Sequence, residues 1–354
     1  MNSTWREFLT SNRATVDEAG VIDFGDPAGE LRDSLEGTVL CDLSHRGQLQ
    51  VAGEDAAEFL QGQLTNDVLQ LEAGRSLISA YCDHKGRILA LFRVWRDGDV
   101  FHLTLPRELV TITAQRLGMF LLRSRATIED QSDHWVRLGL AGPDAEATLA
   151  ETGFETPATP NRWIEQEGKR ITRLPGATPR FELQLPPEAA ETVWNALTRG
   201  ARPAGRDAWT LQEIHAVIPE VFLATRETFT PQMLNLEVID GVSFTKGCYT
   251  GQEVVARTQF LGTIKRRTFP ARIPCDTPPA PGTELVAENA TSGQAAGRIV
   301  LAAPSPQGGC EALATVLISA RREDTLHLGS IEGPVVTFSD PPYSLEQRKP
   351  GQQK

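Results

Sequence analysis

Lys246-Gly247-Cys248-Tyr249-Thr250-Gly251-Gln252-Glu253 packs a thiol, an ammonium, a phenol and two glycines into a single short run. Upstream, Gly241 to Thr245 alternates apolar and hydroxyl side chains, which predicts a short half-buried strand. Downstream, Gln252 to Gln259 predicts a helix with Val254 and Val255 facing inward and Glu253 in its first turn. The run is therefore read as a strand-to-helix elbow, with Gly247 and Gly251 permitting positive φ or close backbone approach on either side of Cys248. Unpaired helix amides and the Lys246 cation would both favour a thiolate. Cys248 is thus the candidate reactive group and Lys246 its candidate modulator. The bland alternative is a small hydrophobe buried in a tight turn.

Working outward, Thr38–Leu43 and Gln48–Val51 predict strands, and Asp55–Leu64 predicts a helix whose apolar side passes through Phe59, Leu60 and Leu64. Ser76–Tyr81 and Arg87–Val94 predict hairpin strands around the turn Asp83–Gly86, and Val100–Leu105 follows as a third strand. A helix after Pro106 carries Val110, Ala114, Leu117 and Leu121 on one stripe. A second unit opens at His134–Leu140, runs through a proline-rich loop region, and continues with the strand Arg180–Leu185 and the helix Glu188–Leu197. Four prolines between Pro274 and Gly282 mark a linker, and short strand-like runs at 284–287, 297–302, 311–318 and 334–338 predict a small β-barrel or sandwich. The divisions expected are 1–131, 132–273, 274–345 and a disordered tail over 346–354.

The length of 354 residues calls for two or three cores. A net charge of −11 opposes broad nucleic-acid binding, which needs an extended basic surface. Lys246, Arg257, Lys265, Arg266 and Arg267 are a local exception, a candidate basic rim for an anionic ligand. No apolar run reaches the roughly 20 residues of a membrane span, and the opening residues lack a signal-peptide core, so a cytoplasmic protein is expected. The five cysteines at 41, 82, 248, 275 and 310 are scattered without a CxxC pair, which offers neither a disulfide framework nor a metal cage; no metal site is expected.

The run Lys246–Glu253 resembles the signature of the YgfZ-type folate-binding proteins, relatives of the glycine cleavage T-protein aminomethyltransferases that support iron–sulfur enzymes. Further segments carry the resemblance along most of the chain: Asp42–His45 with Gly53–Asp67, then Tyr81–Leu89, then Glu288–Gly293 with Gly297–Ala302. The resemblance implies an α+β fold, a three-domain cloverleaf of the T-protein type with two α+β domains and a small C-terminal β-barrel around a central folate pocket. It also implies tetrahydrofolate or a derivative as cofactor, and iron–sulfur enzymes, including tRNA-modifying ones, as client proteins. Tyr249, Gln252, Glu253, His215 and Arg257 are the expected cofactor contacts.

Two departures from the relatives bear on function. Where the aminomethyltransferases carry a pair of aspartates in the hairpin, this chain has Ala90 and Leu91, which can neither take a proton nor stabilise a cation. Where many relatives carry a pterin-binding glutamate, this chain has His215, with Glu213 two residues before it. The expectation is a folate-binding maintenance protein acting through Cys248, not an active aminomethyltransferase. The alternative is a folate-dependent one-carbon transferase with Cys248 as an added nucleophile.

Overall fold

The computed structural model describes residues 1–289 and 295–345. The tail over 346–354, and residues 290–293 of the segment that resembles the barrel opening, lie outside them.

Among the described residues the strands form two large sheets, a closed barrel and a small two-stranded sheet of Thr15–Val16 with Val21–Asp23. The first sheet has five strands in the order Ser76–Cys82, Ile88–Asp97, Val100–Pro106, Arg46–Ala52 and Thr127–Asp130. Its hairpin turns where expected: the Asp83 carboxylate accepts the backbone N–H groups of Lys85 and Arg87, both at 2.8 Å, and Gly86 takes a φ of +70°. From Ile88 to Phe92 the second strand is buried without a break, in one core with Leu211 of the helix Arg206–Ala216 and with Leu236 and Val242. Burial of each such large apolar side chain contributes about 1.5–3 kcal/mol.

The second sheet has six strands, ordered Trp163–Gln166, Lys169–Leu174, Arg180–Leu185, Val136–Ala141, Val39–Asp42 and Arg202–Ala204. All contacts between neighbours are antiparallel save the last, where Arg202–Ala204 runs parallel to Val39–Cys41. The hairpin Trp163–Leu174 falls inside the stretch read as loop. Its two central residues, Glu167 and Gly168, both have positive φ, 52° and 72°, the turn geometry whose twist suits a two-residue hairpin.

The sheets do not follow a division at 131/132. Val39–Asp42 pairs with Val136–Ala141 in the second sheet, whereas Arg46–Ala52 pairs with Val100–Pro106 in the first. The chain passes from one sheet to the other in a single tight turn, closed by Arg46 N–H donating to Leu43 O at 2.9 Å. A buried polar knot clamps the two sheets: Gln48 Oε1 accepts from Arg137 at 2.7 Å and from Gln184 at 3.2 Å. Within the first 37 residues, given no element from sequence, the helix Ser3–Ser11 packs on the second sheet's core. Trp5 on the helix Ser3–Ser11 meets Trp194 edge-on at 5.6 Å and donates its indole N–H to Asp42 at 2.8 Å.

The barrel closes in the order Arg266–Ile273, Cys310–Leu317, Gly297–Pro304, Glu284–Ala287, Leu326–Leu328 and Val335–Phe338. Closure leaves no edge strand open to another chain. Val300, Leu301 and Leu313 join the core of the first sheet, so the barrel is docked on the body by apolar packing.

Candidate functional site

The motif helix forms over Gln252–Phe260, and Val255 is its buried residue. Gly251 starts it in the left-handed region at φ +84°, and a Cβ there would lie 2.4 Å from the Asp83 carbonyl oxygen. Glycine is required at that point by both backbone and contact. Gly247 is different: nothing lies within 4 Å of a Cβ built on it, and it does not have positive φ. The expected strand Gly241–Thr245 is absent. That segment makes one backbone bond to the first sheet's layer, Ser243 N–H to Thr65 O at 3.0 Å, with no ladder partner.

Lys246 is nearly buried, and its ammonium donates to three carbonyl oxygens at the end of the helix Ala56–Gln61: Gln61 at 2.7 Å, Leu64 at 2.6 Å and Asn66 at 2.9 Å. An ammonium has three N–H donors, so all are engaged. The cation serves the C-terminal end of that helix, where carbonyls lack partners. It clamps that helix end and makes no hydrogen bond to the Cys248 thiol among the described residues. Burial pulls the lysine down to about 8, against the raising influence of Asp67. Its Nζ stands 5.2 Å over the Tyr249 ring.

Tyr249 is buried, and its hydroxyl has no partner among the described residues. Burial, with Cys82 nearby, pushes the phenol well above its ordinary range. Cys248 itself is exposed, which removes the reading of a buried hydrophobe. Of the other cysteines, Cys41, Cys82 and Cys310 are buried, with burial raising all three thiols, Cys310 to about 12. Glu253 and Arg257 are exposed on the motif helix, and Gln252 reaches back to Gly247 O at 3.4 Å. The expected basic rim is dispersed: Arg267 is buried against Glu237, and Arg266 donates to Ala295 O and Ala296 O.

A roomy cavity lies away from the elbow. A cavity of about 550 Å³ opens where the crossover turn, the helix Arg206–Ala216 and the barrel meet. His45 and Arg46 enter it from the crossover, Trp209 and Glu213 from the helix, Glu220 from the segment after it, and Ala302 from the barrel. Arg46 and Glu220 pair across it at 2.8 Å, and Glu213 holds the buried Arg180 at 2.7 Å. Burial raises the Glu220 carboxyl while Arg46 opposes the rise. Burial, with Arg46 and Arg206 nearby, depresses His45 to about 3, so the imidazole is neutral. Trp209 Nε1 and His45 Nδ1 are buried and have no partner among the described residues.

None of Tyr249, Gln252, Glu253, His215 and Arg257 lines this cavity. His215 turns to the barrel, where its Nε2 lies 2.6 Å from Glu311, and Glu213 faces the cavity in its place. The residues that do line it were within reach of the sequence. His45 ends the family-like segment Asp42–His45, and Glu220 follows Pro219 directly. Ala90 and Leu91 are buried in the strand Ile88–Asp97, as their apolar character implies, and put no carboxylate into the fold.

The family model of the GCVT N-terminal domain matches residues 25–243, ending just before the motif. The tRNA-modifying protein YgfZ of Escherichia fergusonii is 30% identical over 297 residues, covering 84% of this chain and 90% of the relative. The chain is a YgfZ-type member of the GCVT family. The YgfZ of Photobacterium profundum is 31% identical over 255 residues, covering 71% of this chain and 75% of its own. Among solved structures, the glycine cleavage system aminomethyltransferase T from Bartonella henselae superposes with a TM-score of 0.74 at 18% identity, covering 98% of this chain and 99% of its own. The YgfZ-type chain therefore has the α+β T-protein fold with its C-terminal barrel.

Proposed function

We propose that the protein binds a reduced folate, tetrahydrofolate or a derivative, in the central cavity and supports assembly or repair of iron–sulfur enzymes through Cys248. The observation that carries the folate half is the cavity: about 550 Å³, within the range of small-molecule sites, walled by Trp209 and lined by charged groups of both signs, among them Arg46, Glu213 and Glu220. The Glu220 and Glu213 carboxylates suit the N–H groups of a pterin, and the unpartnered Trp209 Nε1 and His45 Nδ1 would gain partners. Arg107 and Arg206 on the wall suit a carboxylate tail. When bound, reduced folate supplies nitrogens that carry one-carbon units. The chain's own residues hold and orient it.

The relatives are named as tRNA-modifying proteins, which supports iron–sulfur enzymes that modify tRNA as clients. Among the described residues no group of three or more candidate ligands could hold a metal ion, so the cluster is read as cargo of the client. No helix among them is long and apolar enough to cross a membrane. Aminomethyl transfer is disfavoured by buried Ala90 and Leu91, which offer no charge to a developing iminium.

Calorimetric titration with tetrahydrofolate tests the folate half. Binding to the wild-type protein, lost when Ala302→Phe fills the cavity from the barrel side, is the expected result. Absence of binding in the wild type, or full binding in a folded Ala302→Phe protein, contradicts it. Formation of methylene-tetrahydrofolate from an aminomethylated donor would favour the transferase alternative instead.

A further inference from the structure

A second cavity, of about 400 Å³, opens between the barrel and the segment that covers the first sheet, and three arginines line it: Arg87, Arg266 and Arg298. They come from three separate places. Arg87 follows the hairpin turn whose Gly86 packs against Val254 of the motif helix, Arg266 begins the first barrel strand, and Arg298 lies on Gly297–Pro304. Glu284 is the one carboxylate lining the cavity among the described residues, and it pairs with Arg298. Three cations against one anion leave an excess of two positive charges in a chain whose net charge is −11.

Each guanidinium is held in place by backbone. Arg87 donates to Thr228 O at 2.6 Å, Arg266 to Ala295 O and Ala296 O at 2.8 Å each, and Arg298 to Gly282 O at 3.1 Å. A guanidinium carries five N–H donors, so these bonds orient the groups and leave donors for a ligand. Burial lowers Arg266 from its ordinary value, and the charges of Arg298 and Arg87 lower it further. Like charges gathered at one space raise the energy of the unliganded protein, and an anion placed among them relieves it.

We propose that the Arg87–Arg266–Arg298 cavity binds a phosphorylated small molecule carrying two or more negative charges, at a site separate from the central cavity. Three fixed guanidiniums around one space match the several oxygens and the multiple charge of a phosphoryl group; a carboxylate brings one charge and two oxygens. The concave shape favours a small molecule over RNA, whose phosphate chain needs an extended basic surface that this acidic body does not provide. The inference does not depend on folate binding. It places an anion-binding site beside the hairpin whose Gly86 packs against the Cys248 helix.

The test is calorimetry on the full chain at low salt with inorganic pyrophosphate and with AMP. Both are expected to bind, and Arg87→Gln is expected to weaken pyrophosphate by about tenfold or more with tetrahydrofolate affinity unchanged. Arg298→Gln leaves Glu284 unpaired, so a second measurement uses the wild type alone: pyrophosphate should protect Arg87 and Arg298 from phenylglyoxal, read by peptide mass spectrometry. No binding of either probe up to about 5 mM, well above ordinary ligand affinities, overturns the proposal. So does binding that Arg87→Gln leaves intact together with no protection of these arginines. A triglutamate peptide or an RNA oligonucleotide that binds more tightly than pyrophosphate also overturns it.

Discussion

The ammonium of Lys246 lies 2.6 Å from the carbonyl oxygen of Leu64, which ties the elbow that bears Cys248 to the end of the helix Ala56–Gln61. Residues 182 positions apart in the chain are thereby joined, with Asn66 O also accepting from Lys246. Lys246→Met leaves three carbonyls without their donor, a loss of about 2–4 kcal/mol for buried groups of this kind. The expected result is a lowered denaturation midpoint, with alkylation of Cys248 still possible in the folded fraction. An unchanged midpoint with altered thiol reactivity would favour the modulator role.

Exposure separates the cysteines. Iodoacetamide should modify Cys248 in the native protein well before Cys41, Cys82 and Cys310, which are buried and whose thiols are held protonated. Peptide mass spectrometry over a time course checks the order. Labelling of Cys41 or Cys82 at the rate of Cys248 would contradict the placement.

The two glycines of the elbow should respond differently. Gly251→Ala forces a side chain into left-handed backbone and against the Asp83 carbonyl, at a cost of about 2 kcal/mol or more. Gly247→Ala meets open space and should shift stability by no more than about 0.5 kcal/mol. Thermal melts of the pair decide it.

His102 couples stability to acid. Its ring stacks on Trp95 with centroids 3.7 Å apart, and its Nδ1 lies 3.0 Å from Gln48 Nε2. Because Gln48 Oε1 already accepts from Arg137, the amide presents its NH₂ to His102, and Nδ1 must be the acceptor of a neutral ring. Burial, reinforced by Arg170 and Arg137, depresses this histidine to about 3. Between its ordinary 6.5 and about 3 the unfolded chain binds the proton and the folded chain does not, so stability present above that window is lost as pH falls through it. The slope is about 1.4 kcal/mol per pH unit at full effect. Urea midpoints at neutral pH and at pH about 5 should fall more for the wild type than for His102→Gln.

Much of the fold was legible because periodicity and turn chemistry are local. The strand Arg180–Leu185 and the barrel strand Glu284–Ala287 have the bounds read from alternation and flanking turns. What periodicity does not carry is the partner of a strand. Nothing in Val39–Asp42 shows that it pairs with Val136–Ala141 while its neighbour Arg46–Ala52 goes to the other sheet, and that choice is what brings His45 and Arg46 to the cavity. The same limit applies to the motif. Its residue types suggested a charge-tuned thiol, but the three carbonyls that receive Lys246 belong to Gln61, Leu64 and Asn66, far from it in sequence. For His215 the helix sets the direction: Glu213 faces the cavity and His215 the barrel strand that carries Glu311.

The most direct measurement is the activity of an iron–sulfur tRNA-modifying enzyme in cells lacking this protein and supplied with the wild type, Cys248→Ser or Ala302→Phe. Cys248 is exposed in a turn, so its serine variant should melt within about 0.5 kcal/mol of the wild type. The prediction is that the wild type restores the enzyme while Cys248→Ser and Ala302→Phe, both folded, do not. Full restoration by Cys248→Ser would show that the thiol is dispensable and contradict the proposed role of the elbow.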